Sequence, residues 1–532
     1  MYDFIIVGAG SAGCVLANRL SSKSGAKVLI IEAGPEDKSQ LIHVPIGLAA
    51  MSRSKILNWR YESEGQSELN DRKLFWPRGR AHGGSSSINA MVYIRGHKDD
   101  YNQWQELGNK NWGFSKILPY FKKSERNQTI TNDKLHGNGG PLFVDNLRTV
   151  NPLSHVFVKA SLESGYKENV DFNGKKQEGV GLYQVTQKNG ERCSSAKAYL
   201  TPVLGRDNLS VISEANVAKV LFEGERAVGV EYIKAGNTHS VRLAENGEVL
   251  LCGGAINSPQ LLMLSGVGPK SELSRHKIPE IFALEGVGEN LQDHLDITIL
   301  HEGDTMDSIS VTPLGMAKGA IATVDYIKNR KGFLTSNVAE SGGFVKSDKG
   351  QKRPNIQFHF LPTLLKDHGR QLMYGYGFTL HICDLQPKSR GFIKLKSSDP
   401  LEAPLIQPNY LTVEEDWINL VNGYKIGREI LRSKAFSPYS KREMMPGNSI
   451  ETDAQIREDI RKRAESIYHP VGTCKMGCDD MAVVDDQLKV YGVNGLRVVD
   501  ASVMPTLVAG NTNAPTMMIA EKAAEMILKE HA

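Results

Sequence analysis

Cysteine is scarce in this sequence. Six residues, Cys14, Cys193, Cys252, Cys383, Cys474 and Cys478, are scattered over 532 positions. The closest two are spaced C-x-x-x-C, which suits neither a zinc site nor a redox pair. Free thiols in a reducing compartment are therefore expected, with no disulfide framework and no metal. An excess of one charge is missing too: 64 basic residues stand against 60 acidic ones, a formal charge of +4. That balance excludes the electrostatic footprint of a nucleic-acid binder. No apolar run is long enough to span a bilayer, and no basic, apolar, cleavable leader precedes the first strand. Internal repeats and low-complexity tracts are absent. A cytoplasmic enzyme is the expectation, with membrane contact at most peripheral. The length exceeds one ordinary core, so two domains, or one with a large elaboration, are expected.

What is present is concentrated first at the start of the chain. Tyr2 to Val7 is apolar and β-branched enough for a buried parallel strand. Gly8-Ala9-Gly10-Ser11-Ala12-Gly13 opens a helix to about Leu20, and a strand from Lys27 to Ile31 ends on Glu32. In such a unit Gly8 permits the tight turn, Gly10 lets a pyrophosphate approach the backbone, and Gly13 lets helix and strand pack closely. Unpaired helix-start N–H groups bind the phosphates. Glu32 would accept from a ribose hydroxyl pair and repel the extra phosphate of NADP, which leaves NAD or the adenosine half of FAD.

Further along, Pro77 to Ala90 packs glycines, serines and two arginines into a loop running into apolar Met91–Ile94. Small residues there allow backbone to lie close to a flat or anionic group. A helix followed by loop is expected over 117–151. Strand patterns follow at 209–212, 218–222, 227–233 and 248–252. Ser258-Pro259 reads as a helix start, and Gly266 to Pro269 as its stop. Alternation at 356–360 and 378–383 predicts a largely antiparallel sheet between about 298 and 464, with a helix over 417–432. Asn511-Thr512-Asn513 and Pro515 open a last helix reaching about Lys529.

Four of these stretches together resemble the glucose-methanol-choline (GMC) family of FAD-dependent oxidoreductases over essentially the whole chain. They are the N-terminal turn, the loop at 77–96, the segment 254–269, and His469 with Asn511-Thr512-Asn513. Within the family the sequence is most similar to the bacterial alcohol and choline dehydrogenase branch. The resemblance implies an α/β fold: a Rossmann-like FAD domain from residues 1–155, 190–298 and 465–532, and an inserted substrate domain, 156–189 and 299–464, built on a largely antiparallel sheet. It matches Gly8, Gly10, Ser11, Ala12, Gly13, Glu32 and Ala33 to the adenosine-diphosphate cradle and Val217 to the adenine end. Arg80, Gly84, Ser85, Asn89 and Ala90 match the loop over pyrophosphate and ring. Asp500, Ala501, Asn511 and Thr512 match contacts near the C-terminal helix. Where members with tethered flavin carry histidine, this chain has Ile88, which implies non-covalently bound FAD; His82 lies six residues earlier in the same loop.

Alcohol oxidation needs a base for the hydroxyl proton and an acceptor for the α-hydride. A neutral imidazole suits the first task, and His469 matches the family base, with Tyr468 beside it. Asn513 matches the second polar residue of the family pair and would hold the alcohol oxygen, with Asn511 as competitor. The positive end of the helix opening at Pro515 would favour a reduced flavin ring. Glu340 matches by position the carboxylate that choline-oxidising relatives direct at trimethylammonium, while Phe358 and Phe360 offer aromatic faces on one side only. A neutral primary alcohol is therefore expected ahead of choline, with a quinone, a carrier protein or oxygen as electron acceptor. A flavin-containing hydroxynitrile lyase is the remote alternative.

Overall fold

Near-continuous apolar runs become parallel strands, because a strand covered on both faces needs no polar side. The computed structural model describes residues 1–23, 25–51, 54–131 and 134–531. β1 (Tyr2–Val7) pairs in parallel with β2 (Val28–Ile31), and β2 with β3 (Leu209–Ile212). β4 (Ala215–Glu223), β5 (Arg226–Lys234) and the first half of β6 (Asn237–Leu251) form an antiparallel meander. The second half of β6 turns to run parallel to β1 and to Leu496–Val498. The order is β3-β2-β1-β6-β5-β4, with Leu496–Val498 attached to β6. α1 (Ser11–Leu20) follows β1 directly, so its N-terminus opens at the carboxyl end of the parallel strands.

The helix after β6 departs from expectation. α2 spans Gly254–Leu264, so it starts before Ser258, and Pro259 lies inside it. Proline lacks the N–H that would bond the carbonyl four residues back, here that of Ala255. The Thr473 hydroxyl donates to that carbonyl instead, at 2.7 Å. Ser258 is used otherwise too: its hydroxyl accepts from the Gly253 amide at 3.0 Å and donates to Asp500 at 2.6 Å. Thr473→Val keeps the shape and orphans the buried carbonyl. It should cost about 1–3 kcal/mol of unfolding free energy by urea denaturation of the holoprotein, and Thr473→Ser should restore it; an unchanged Val midpoint would show that another donor serves Ala255.

A second sheet forms from β7 (Leu295–Gly303), β8 (Ser341–Val345), β9 (Ile356–Leu361) and β10 (Tyr376–Asp384), with Gly179–Leu182 and Arg442–Met445 at its edges. Every pairing in it is antiparallel. β7 starts before the boundary expected at 299, and Glu465–Ser466 joins β7 beyond the one expected at 464. α3 (Glu414–Leu431) packs on β10 and so covers one face. Phe360 stacks on Phe157 at 5.1 Å and lies against Phe378 and Phe436. Phe358 is likewise fully buried in the core. Because strand side chains alternate, His359 and Leu361 face the other way, into a cavity.

The last helix, α4, spans Asn513–Glu530, two residues ahead of the expected start at Pro515, which sits harmlessly in its first turn. Among the described residues no helix is long and apolar enough to cross a membrane. All six cysteines are free, and only Cys478 is exposed.

Candidate active site

A cavity of about 560 Å³ opens where the first sheet's carboxyl end meets the second sheet. The first turns of α1, α2 and α4 all line it, through Ser11, Gly254 and Asn513. Each helix N-terminus carries roughly half a positive charge, so this end of the cavity favours an anion. Its floor is nearly bare backbone: a Cβ on Gly84 would lie 2.7 Å from the Gly10 Cα, and one on Gly8 would lie 2.7 Å from the Cys252 carbonyl oxygen. Gly13 stands behind the cavity, where a Cβ would strike the Gly8 carbonyl oxygen at 1.9 Å, so its part is close packing of helix on turn. The Glu32 carboxylate accepts from the amides of Ala9 and Gly34, both at 2.8 Å. Burial pushes its pKa up to about 7 against these amides and the Arg80 charge.

At the other end stands His469, and a backbone irregularity puts it there. Gln292 pairs with Val471 through both backbone hydrogen bonds, and the Ile467 amide donates to the His294 carbonyl. Between those pairings one chain has only Asp293, while the other has Tyr468, His469 and Pro470. The surplus bulges out, as unequal strands must. Tyr468 takes φ 71°, Pro470 has no N–H to satisfy, and the freed His469 amide donates to Asp293 Oδ1 at 2.7 Å. Asp293 is fixed further by Ser466 and Tyr410, and burial pushes its pKa up to about 6.

The hydrogen bonds then assign the tautomer of His469. His294 Nε2 contacts the Leu385 carbonyl at 3.2 Å, which can only accept, so Nε2 carries the proton. Burial lowers the His294 pKa to about 3, so the ring is neutral and its Nδ1 is bare. His469 Nδ1, 3.0 Å away, must therefore donate, which leaves the lone pair on His469 Nε2. Desolvation, aided by His294, His359 and Arg78, holds His469 neutral well below the usual histidine range. Facing that lone pair at 3.1 Å is the amide nitrogen of Asn511, whose oxygen accepts from Gln357 at 3.2 Å.

Asn513 also lines the cavity but does not meet His469. Its side-chain oxygen accepts from the Ser11 hydroxyl at 2.7 Å. Thr512 caps α4, and the chain turns there, so residues two apart point to different neighbours; the side chain that meets His469 is Asn511, while Asn513, expected there, meets Ser11. Of the other expected residues, Gly8, Gly10, Ser11, Ala12, Glu32, Ala33, Gly84, Ser85, Asn89, Ala90, Val217, Asp500, Ala501, Thr512 and Tyr468 all line the cavity. Asp500 also ties α2 to the C-terminal turn, accepting from Gly254, Ser258 and Ser502.

Arg80 lies off the cavity with its guanidinium over Trp59, and Arg78 takes the wall position, donating to the Tyr468 carbonyl at 2.6 Å. Phe358 and Phe360 belong to the core and not to a substrate pocket. Glu340 points away as well: it accepts from Ser336 at 2.5 Å, the Asn151 amide at 2.7 Å and Ser154 at 2.8 Å. His82 is bonded to Ser213, while Ile88 faces the cavity.

The sequence reading missed His294, Arg78, the stacked pair Trp59 and Tyr61, and a cluster of Asp296, His368 and His381. The available signals were the adjacent Asp293-His294 before an alternating strand and the first arginine of the 77–90 loop. In the cluster Asp296 accepts from both imidazoles, and the three ligand-type atoms lie within 4.8 Å of one another.

A glycine-floored trough under helix N-termini, leading to a neutral imidazole with an aimed lone pair, is the arrangement a dinucleotide-dependent enzyme requires. The chain belongs to the GMC oxidoreductase family, which matches residues 2–296 with its N-terminal part and 387–520 with its C-terminal part. It is 56% identical over 530 residues to a Pseudomonas putida "alcohol dehydrogenase [acceptor]", covering 100% of this chain and 96% of that one. It is 45% identical over 535 residues to the mitochondrial choline dehydrogenase of Mus musculus, covering 99% and 89%. Among solved structures, pyridoxine 4-oxidase from Mesorbium loti superposes with TM-score 0.88 at 30% identity over 100% of both chains. Aspergillus oryzae formate oxidase gives 0.92 at 27%, over 100% and 98%.

The residues present fit FAD. The trough has bare backbone where a pyrophosphate would approach and a buried carboxylate at the expected ribose position. The wall near His469 holds buried polar atoms without partners, His359 Nδ1, His381 Nε2 and Asn337 Oδ1, which a bound group or water would satisfy.

Proposed function

We propose that this protein oxidises a neutral primary alcohol to its aldehyde with FAD as cofactor. The observation that carries the reading is the bare Nε2 of His469, held by the His294 relay and facing Asn511 in the cavity. Bound FAD supplies a two-electron acceptor for the α-hydride at its N5 atom. His469 Nε2 takes the hydroxyl proton, and the Asn511 amide donates to the oxygen as negative charge grows on it. The positive end of α4 would favour negative charge on the reduced flavin. Asp293 and His294 keep the imidazole in place and in one tautomer. Electrons then pass to an external acceptor, the term in the Pseudomonas relative's name, which we take to be a quinone or a carrier. Six unpaired cysteines support a cytoplasmic location. We read the cofactor domain as residues 1–155, 190–298 and 465–532, with the substrate domain between and with β7 and Glu465–Ser466 crossing the two boundaries.

The preference for a neutral substrate rests on what surrounds the cavity. Glu340 is turned away into three hydrogen bonds, Phe358 and Phe360 are core, and Asp296, behind the wall, is shared between His368 and His381. Among the described residues the aromatic lining of the cavity is Trp59, Tyr61, Phe75 and Tyr468, and neither Phe358 nor Phe360 nor the Glu340 carboxylate joins it to complete a cage for a quaternary ammonium. Anaerobic mixing with a medium-chain alcohol or benzyl alcohol should bleach the flavin band. Specificity constants for these should exceed that for choline, and choline ahead by tenfold would reverse the assignment.

Ile88 in the cavity and His82 bound to Ser213 support a dissociable flavin. Acid precipitation should leave the pellet white and the supernatant yellow. A yellow pellet would mean a covalent bond.

A further inference from the structure

The helix over Pro313–Asn329 is reversed in polarity. Its body-facing stripe, Gly315, Gly319, Ala322 and Tyr326, is made mostly of small residues, and only Tyr326 is buried. Its outer side carries Leu314, Met316, Ile321, Val324 and Ile327, exposed by 46, 62, 72, 52 and 70%. A surface helix that faces only water shows the opposite arrangement, and a contiguous apolar patch marks an interaction site. The charges on the outer side and just beyond it are cationic. Lys318, Lys328 and Lys331 are exposed, and the helix's one acid, Asp325, accepts from Asn329 at 2.7 Å.

We infer that this helix docks on an anionic lipid bilayer. It lies in the plane of the interface with its aliphatic side inserted and its lysines at the headgroups. The composition selects a bilayer over a protein: the patch has aliphatic residues flanked by lysines, whereas protein interfaces are anchored by aromatics and arginine and are depleted in lysine. A second element lies beside it. Thr312, which caps the helix, donates to the Tyr376 hydroxyl at 3.0 Å, and nearby Tyr374 is 74% exposed, an aromatic suited to the headgroup level. The segment leading into β10 also supplies Leu365 and His368 to the cavity wall, so docking brings the cavity's cover to the membrane surface.

Flotation of the purified holoenzyme with vesicles tests this without reference to turnover. Vesicles of phosphatidylcholine mixed equally with phosphatidylglycerol should carry the protein, and phosphatidylcholine alone should carry much less. The triple variant Ile321→Glu, Val324→Glu, Ile327→Glu should lower the partition coefficient by roughly tenfold or more, with flavin content and dye-linked turnover unchanged. Lys328→Glu with Lys331→Glu should abolish the preference for anionic vesicles. Wild-type protein that floats with neither vesicle, or a triple variant that floats like wild type, overturns the inference. So does a wild-type dimer by light scattering that the triple variant converts to monomer, since a second copy would then cover the face.

Discussion

His469→Ala should slow flavin reduction by a saturating alcohol by roughly two to four orders of magnitude, the span of a lost general base, while FAD stays bound. The reason is local. On the proposed reading the Nε2 lone pair takes the hydroxyl proton, and its orientation is set by a hydrogen-bond chain in which His469 Nδ1 donates to His294 and His294 Nε2 donates to the Leu385 carbonyl. Removing the ring leaves the trough untouched, because Gly8, Gly10, Glu32 and the first turn of α1 lie at the opposite end. Stopped-flow absorbance under anaerobic conditions reads the reduction step separately from the acceptor step. Loss of flavin with normal residual turnover would show that His469 is structural.

The second large effect is expected at Asn511. Asn511→Ala removes the donor 3.1 Å from His469 Nε2, and one hydrogen bond to developing charge in a dry site is worth about 2.7–4 kcal/mol, or 10² to 10³ in rate. The same experiment separates it from Asn513. Asn513→Ala breaks only the contact with the Ser11 hydroxyl at the start of α1, so it should weaken FAD retention more than it slows reduction. Equal losses of reduction rate in both variants would mean that the chain end rearranges around the substrate. A large loss in Asn513→Ala alone would return the role to that residue.

Much of the cofactor trough was legible in the sequence because its determinants are local. A β-branched run, glycines at fixed offsets and an acid at the next strand's end act through neighbours a few residues apart, and β1, α1 and β2 follow from them. Strand alternation likewise announced β9 and β10, although not which face would meet the cavity; that choice belongs to the helices and aromatics packed on the other side. Ser258-Pro259 misled because a proline inside a helix is tolerated when a distant hydroxyl serves the orphaned carbonyl, and Thr473 is more than two hundred residues away. The same applies to Glu340, whose neighbours in sequence are glycine-rich and permissive but whose carboxylate is captured by Ser154, Asn151 and Ser336.

The sequence by itself determined the class of fold and the local unit that forms the trough, and it singled out His469 as the candidate base. Tertiary structure alone decided what that histidine can do. Its tautomer depends on His294, its displacement into the cavity on an unequal strand pairing, and its partner on the turn that sends Asn511 and Asn513 to different neighbours. Each is a long-range backbone event, and residue spacing carries information only about groups that share a local element.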